Sequence, residues 1–158
     1  WLATPPASVS ERLKLEATRA GIDADRIVFA TRVDSFEDHL QRLSLADLFL
    51  DTWPYNAHTT ANDALFAGLP VLTYAGRTFA SRVAASMLLV LGVPDLICNS
   101  PEAYLETAIH LDNGRPALRK IKEQVQSQRL TSPLFNSAEY NHNLSELLSV
   151  LASTQLSH

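Results

Sequence analysis

The sequence is poor in cysteine and has no long apolar run. Cys98 is its one cysteine among 158 residues, which rules out an internal disulfide and a cysteine-rich zinc site. One thiol fits a reducing compartment, so we expect a cytoplasmic protein. The longest strongly apolar run covers residues 87–91, far short of the roughly 20 residues that span a bilayer. We therefore expect no membrane partner.

Positive charge is also scarce. Lys and Arg together number 13 against 17 Asp and Glu, which gives a net charge of −4. Nucleic-acid-binding surfaces need clustered Lys and Arg, so we expect no nucleic-acid partner. No metal-ligand spacing connects the 5 histidines, and we predict neither a metal site nor a cofactor. The length and the hydrophobic content of 46% fit one ordinary globular domain.

The first residues point to a fragment. The chain lacks an initiating Met and begins Trp1-Leu2-Ala3, followed closely by two prolines. This pattern is typical of the end of a buried strand, so we expect a longer polypeptide with further sequence upstream. We assign residues 1–152 to one domain and residues 153–158 to a frayed tail.

Short apolar runs alternate with helical patterns along the chain. Strands are predicted at residues 27–30, 48–50, 70–74 and 95–98. Ser8, with Glu11 three residues later, predicts the start of the first helix, and Ser35 predicts the cap of the second. Later helices are predicted at residues 59–67, 78–91 and 137–151, among others. This alternation predicts an α/β fold: a Rossmann-like parallel sheet with helices on both faces.

The richest polar loop follows the strand at residues 48–50, and ligands bind at this end of such strands. His58, Thr59 and Thr60 stand at the start of the next helix, where free N–H groups and the helix dipole favour an anion such as a diphosphate. Asp63, one turn in, is placed to accept from a ribose hydroxyl. The alternative is that Thr59 is only an N-cap and His58 a surface residue.

Two other loops carry weaker patterns. His39 and Arg42 are three residues apart and share a helix face, so either side chain could stack on a base. A solvated amphipathic helix is the alternative there. The turn around Gly76 allows close backbone approach, but it has neither the GxGxxG nor the Walker pattern. A plain turn with a capped helix explains it equally well.

Several segments resemble one enzyme family. They are residues 45–52, 56–60, 63–71 and 76–86. Together they look like the C-terminal catalytic lobe of the O-GlcNAc transferases, glycosyltransferase family 41, and the likeness covers about residues 1–111. These are inverting enzymes with two Rossmann-like domains, an arrangement called GT-B, and an N-terminal array of tetratricopeptide repeats. The resemblance therefore implies a GT-B C-terminal domain.

The resemblance also implies residue roles. His58, Thr59 and Thr60 would hold the UDP diphosphate, and His58 would stabilise the leaving group. Asp63 would bind the ribose. His39 would pack on the uracil beside Arg42, while the backbone of Val33 and Asp34 would pair with the uracil edge.

One position departs from the family pattern, because many members carry a lysine where this chain has Phe36. A cationic nucleotide contact is thus absent at that position. The family's phosphate-binding lysine and its proposed catalytic bases would lie upstream of Trp1, in an N-terminal lobe that partners this one. We expect the chain alone to be inactive.

The function implied is transfer of N-acetylglucosamine from UDP-N-acetylglucosamine to Ser or Thr of proteins, with no metal required. The partners implied are the UDP-sugar donor, a protein or peptide acceptor and the missing lobe. Two alternatives remain at this point. One is a GT-B enzyme for another UDP-sugar, either a transferase or an epimerase. The other is a non-catalytic UDP-binding or scaffold module.

Overall fold

The computed structural model describes the backbone of residues 2–155 and the side chains of residues 2–153. Its strands are β1 (Leu2–Ala3), β2 (Phe29–Ala30), β3 (Phe49–Leu50), β4 (Val71–Tyr74) and β5 (Ile97–Cys98). Its α-helices are α1 (Ala7–Arg19), α2 (Phe36–Ser44), α3 (Thr59–Phe66), α4 (Val83–Leu91), α5 (Pro101–Asn113), α6 (Arg115–Gln128) and α7 (Ser137–Gln155). The strand end predicted at residues 1–3 is present as Leu2–Ala3, but both residues are exposed and not buried as predicted. Residues 153–155 of the predicted frayed tail are helical. Trp1 and residues 156–158 lie outside the described residues.

The chain divides into two compact units between His39 and Leu40. In the first unit β1 pairs with β2 in parallel. Helix α1 begins at Ala7 with Pro6 as its N-cap, and the Pro6 carbonyl accepts the N–H groups of Val9 and Ser10 at 2.9 and 3.1 Å. The predicted cap at Ser8 is therefore wrong, because Pro6 already closes the first turn and Ser8 lies within the helix.

Helix α2 begins as its sequence predicts. The Ser35 hydroxyl oxygen accepts the N–H of Asp38 at 3.0 Å, and this bond satisfies one of the donors that a helix start leaves without an intrahelical partner. The predicted cap is confirmed. His39, which belongs to the first unit, and Arg42, which belongs to the second, both lie on this helix.

The second unit contains a parallel sheet in the order β3-β4-β5. Val71, Leu72 and Thr73 are all fully buried, and successive residues of a strand face opposite sides of a sheet. Both faces of β4 are therefore covered, and the helices α3, α4 and α5 contact this strand. The α/β class with parallel strands is confirmed.

The core of the second unit collects apolar residues from β4 and from the helices beside it. Its largest fully buried apolar side chains are Leu65, Leu69, Val71, Leu72, Leu88, Leu91, Leu96 and Val125. β3 is less buried than its apolar sequence predicts, since Leu50 is 54% exposed. Among the described residues of this unit, β3 pairs only with β4 and is therefore an edge strand.

Two helix boundaries differ from their predictions. Residues 79–81 form a separate 3-10 turn, and α4 starts only at Val83 because Arg82 leaves helical geometry. The helix ends as predicted at Gly92, which adopts a left-handed conformation with φ of 78°. Helix α7 runs to Gln155, four residues beyond its predicted end. Within residues 2–155, no helix combines the length and the apolar character that a membrane span requires.

Candidate functional site

The loop of residues 51–58 connects the carboxyl end of β3 to the first turn of α3. His58 is the N-cap residue and makes no side-chain capping bond. Thr59 and Thr60 are the first two residues of the helix, and both are exposed. The first N–H groups of any helix lack intrahelical partners and carry the positive end of its dipole. This exposed helix start is therefore the candidate site for an anion.

A buried carboxylate holds this loop to the sheet. Asp51 is 2% exposed. Its Oδ1 accepts the N–H groups of Thr52 and Ala57 at 2.9 and 2.7 Å, and its Oδ2 accepts the hydroxyl of Thr73 at 2.7 Å. The Tyr104 hydroxyl donates to the Asp51 carbonyl at 2.8 Å. Both ends of the loop are thus tied to one residue at the end of β3.

Asn56 forms a second tie between the loop and β4. Its Nδ2 donates to Thr73 Oγ1 and to the carbonyl of Tyr74, both at 2.9 Å. Asn56 is 1% exposed, and its Oδ1 has no hydrogen-bond partner in the described part of the chain. The Thr73 hydroxyl therefore accepts from Asn56 and donates to Asp51, which orients all three groups.

The carbonyl of Ala80 joins this loop to the next one. It accepts the backbone N–H of Asn56 at 3.1 Å and lies 3.2 Å from Nε2 of His58. Because a carbonyl oxygen can only accept, Nε2 must carry the proton in this contact. The contact fixes the tautomer of the neutral ring and leaves Nδ1 as its acceptor.

The loop that supplies Ala80 is rigidly built. Thr78 and Ser81 form a reciprocal capping box. The Gly76 N–H donates to the Ser81 carbonyl at 3.1 Å, and Arg82 Nη1 donates to the Gly76 carbonyl at 3.0 Å. A Cβ on Gly76 would lie 2.5 Å from Ser81 Oγ, so a side chain does not fit there without displacement. Arg82 thus stabilises the turn.

Exposed aromatic rings flank His58. Tyr55 stacks on its imidazole at a centroid distance of 5.0 Å, and Phe79 meets it edge-on at 6.1 Å. Tyr55 is 69% exposed and Phe79 82% exposed. On the inner side, Trp53 packs edge-on against Tyr104 at 5.2 Å. The helix start therefore has an apolar rim beside its polar groups.

Tyr104 keeps its proton over a wide pH range. Its side chain is buried, and burial raises its pKa to about 12, with the negative charge of Asp51 and then Cys98 adding to the effect. A protonated hydroxyl is what the bond to the Asp51 carbonyl requires. The tie from α5 to the loop is thus present at all physiological pH values.

The structure brings some of the predicted site residues together. His58, Thr59, Thr60 and Asp63 share the first turns of α3, and Asp63 is half-buried. Their positions agree with the sequence prediction, and their roles stay predictions.

The remaining predicted residues lie on both sides of the unit boundary. Val33, Asp34 and His39 belong to the first unit, where Val33 and His39 are half-buried, and Arg42 belongs to the second. The ring of Phe36 lies 6.3 Å from that of His39, so an aromatic group occupies the position where the family pattern has a lysine. In the described side chains, no group of three or more His, Cys, Asp or Glu is arranged to hold a metal ion.

Comparison with known proteins identifies the family of this chain. The model of the family described as "Glycosyl transferase family 41" matches residues 1–144. This chain belongs to glycosyl transferase family 41. The resemblance inferred from residues 45–86 is thereby confirmed.

Two relatives and one solved structure show the extent of the match. A UDP-N-acetylglucosamine–peptide N-acetylglucosaminyltransferase of Caenorhabditis elegans is 36% identical over 94% of this chain and 13% of its own length. A probable enzyme of the same name from Arabidopsis thaliana, SEC, is 38% identical over 91% of this chain and 15% of its own length. A mutant O-GlcNAc transferase of Thermobaculum terrenum superposes with a TM-score of 0.80 at 25% identity, covering 90% of this chain and 27% of that chain. The chain thus spans only a small part of these relatives.

Sequence patterns did not indicate the residues that hold the candidate site in place. Asp51 directly follows an apolar strand, and this position was the available signal. Thr73 and Tyr104 contact Asp51 from 22 and 53 residues away, and Asn56 contacts Thr73 across 17 residues. Hydrophobic periodicity carries no information on such distant polar pairs, so only the folded chain reveals them.

Proposed function

We propose that this family-41 domain binds UDP-N-acetylglucosamine and serves a glycosyltransferase that transfers N-acetylglucosamine to Ser or Thr of proteins. The supporting observation is an exposed helix start without a side-chain cap, in a chain whose relatives carry the name of that activity. The diphosphate would lie at Thr59 and Thr60. Asp63 would accept from the ribose, four residues along the same helix face.

The base and the second half of the cleft complete the proposed donor site. His39 would pack on the uracil beside Arg42, and the backbone of Val33 and Asp34 would pair with its edge. The other lobe of a GT-B enzyme would supply the phosphate lysine and the base. We further propose that the full protein carries tetratricopeptide repeats, acts in the cytoplasm and requires no metal or cofactor for this reaction.

The proposed reaction is a direct displacement with inversion. The acceptor hydroxyl oxygen forms a bond to the anomeric carbon, the bond from that carbon to the β-phosphate oxygen breaks, and UDP leaves with the electron pair. The hydroxyl proton passes to the base on the other lobe. Negative charge grows on the β-phosphate during this step, so N–H and O–H donors at the start of α3 would stabilise the transition state more than the ground state.

His58 would contribute to this step through the Nδ1 atom of its ring. With Nε2 donating to the Ala80 carbonyl, the atom left for a phosphate oxygen is Nδ1, which donates only when the ring carries both protons. The protonated ring would place a full positive charge beside the leaving group. The rings of Tyr55 and Phe79 would hold the imidazole in plane.

The binding half of this proposal is tested by Asp63→Ala in the full-length protein. Removing a charged hydrogen-bond acceptor should weaken UDP binding by about 1.5–3 kcal/mol, or roughly 10- to 150-fold in Kd. Isothermal titration calorimetry with UDP measures this. The matched control is Asp112→Ala, an exposed carboxylate on α5, which should leave the Kd unchanged. Unchanged UDP affinity in Asp63→Ala would remove Asp63 from the site.

The choice of donor is tested by competition. UDP-N-acetylglucosamine should compete with labelled UDP more strongly than other UDP-sugars do in the full-length protein. Preference for a different UDP-sugar would instead favour another GT-B transferase or an epimerase. The 158-residue chain alone should bind UDP weakly and transfer no sugar, because it supplies donor contacts without the acceptor positioning that is worth about 7–11 kcal/mol in well-oriented reactions.

A further inference from the structure

The Asp51 carboxylate is almost completely buried, and no described residue forms an ion pair with it. All three donors that the described chain supplies to it are uncharged: two backbone N–H groups and the Thr73 hydroxyl. A carboxylate buried to 2% exposure is retained only where its hydrogen bonds replace the water it has lost. The shortest of the backbone bonds, 2.7 Å, goes to Ala57.

This bond acts one residue before the candidate anion site. Ala57 immediately precedes His58, so a fixed Ala57 N–H fixes the chain direction with which His58 enters α3. The His58 carbonyl accepts the N–H of Asn62 at 3.0 Å and so closes the first helical bond. The Asp51 carboxylate therefore helps to set the direction of the backbone N–H groups of Thr59 and Thr60.

A second path runs from the same carboxylate to the His58 ring. Asp51 orients the Thr73 hydroxyl, which accepts from the Asn56 side chain. The backbone of Asn56 then donates to the Ala80 carbonyl, the same oxygen that meets His58 Nε2. The helix start and the imidazole are thus held by one network with Asp51 at its centre.

We propose that Asp51, hydrogen-bonded to Thr73, is a positioning residue for the transferase reaction. It holds the first turn of α3 and the His58 ring in the geometry that meets charge on the departing diphosphate. This inference rests on the proposed function. Misplacement of a reacting group by about 1 Å can lower a rate about 100-fold, so a network that sets this geometry acts on kcat more than on donor binding.

The test uses Asp51→Asn in the full-length protein. The variant keeps the size of the side chain and one acceptor oxygen but presents an NH2 group where the structure has the second oxygen. We expect kcat for transfer from UDP-N-acetylglucosamine to a peptide to fall about 10- to 100-fold, with KM for the donor within about threefold of the wild type. Circular dichroism confirms that the variant is folded at the assay temperature. Asp47→Asn, an exposed position before β3, is the matched control.

A second pair of variants keeps the proposal testable if Asp51→Asn does not fold. Thr73→Val removes the orienting hydroxyl at nearly constant volume, and Thr73→Ser keeps it. We expect the valine variant to lose kcat and the serine variant to retain most of it. A folded Asp51→Asn or Thr73→Val protein with wild-type kcat would overturn the proposal. A fall in kcat that is fully explained by the fraction of unfolded protein in the sample would also overturn it. A wild-type protein that neither binds UDP nor transfers sugar would instead refute the proposed function.

Discussion

The Thr73 hydroxyl is the point at which the stability of the site loop can be measured directly. Thr73→Val deletes two buried hydrogen bonds, one to the Asp51 carboxylate at 2.7 Å and one from Asn56 at 2.9 Å. A bond to a charged group contributes about 1.5–3 kcal/mol and a neutral one about 0.5–1.5 kcal/mol. The loop should therefore lose about 2–4.5 kcal/mol of stability against local opening.

Native-state hydrogen exchange of the Ala57 amide reports this loss. That N–H donates to Asp51 Oδ1, and its exchange follows opening of the loop rather than unfolding of the whole protein. The predicted loss corresponds to exchange about 30- to 2000-fold faster in Thr73→Val. Thr73→Ser keeps both bonds and should exchange within about fivefold of the wild type, since a single lost methyl weakens packing only modestly. Equal Ala57 exchange in the valine variant and the wild type would refute the network.

Three further outcomes follow from the described contacts. Burial raises the pKa of Tyr104 in the folded state to about 12, whereas the unfolded chain releases this proton near the ordinary pKa of about 10. The contribution of Tyr104 to stability is therefore full below about pH 10 and is lost as the pH rises toward about 12. Ultraviolet titration of Tyr104→Phe should lack the last tyrosine step. Gly76→Ala places a Cβ 2.5 Å from Ser81 Oγ and should lower stability by about 1–3 kcal/mol in thermal unfolding, whereas no change would mean that the turn yields freely. Leu65→Ala, at 0% exposure, should cost about 2–5 kcal/mol in urea unfolding, while Leu89→Ala, at 61% exposure, should stay within about 0.5 kcal/mol; similar losses for both would contradict the assigned core.

Local patterns predicted those parts of the fold that local physics determines. The Ser35 cap, the start of α3 at Thr59 and the left-handed Gly92 each depend on residues within one helical turn. Ser8 shows where such patterns fail. Its spacing to Glu11 matches a capping box, but Pro6 closes the turn earlier, and the pattern holds no information on which of two competing starts is used.

The candidate site likewise has parts that local sequence patterns predict and parts that they do not. The sequence predicts that His58, Thr59 and Thr60 stand at a helix start, and their proposed anion-binding role rests on that position. The support beneath them does not, because Tyr104 reaches Asp51 from another helix across 53 residues.

We propose that the start of α3 stabilises UDP as it leaves. It is tested most directly by transfer of labelled N-acetylglucosamine from UDP-N-acetylglucosamine to an acceptor peptide, with full-length wild type compared with His58→Ala. We expect transfer by the wild type and a fall in kcat of about 100-fold or more in the variant, the scale for losing one transition-state donor. Absence of transfer by the wild type, or an unchanged kcat in His58→Ala with only KM raised, would contradict it.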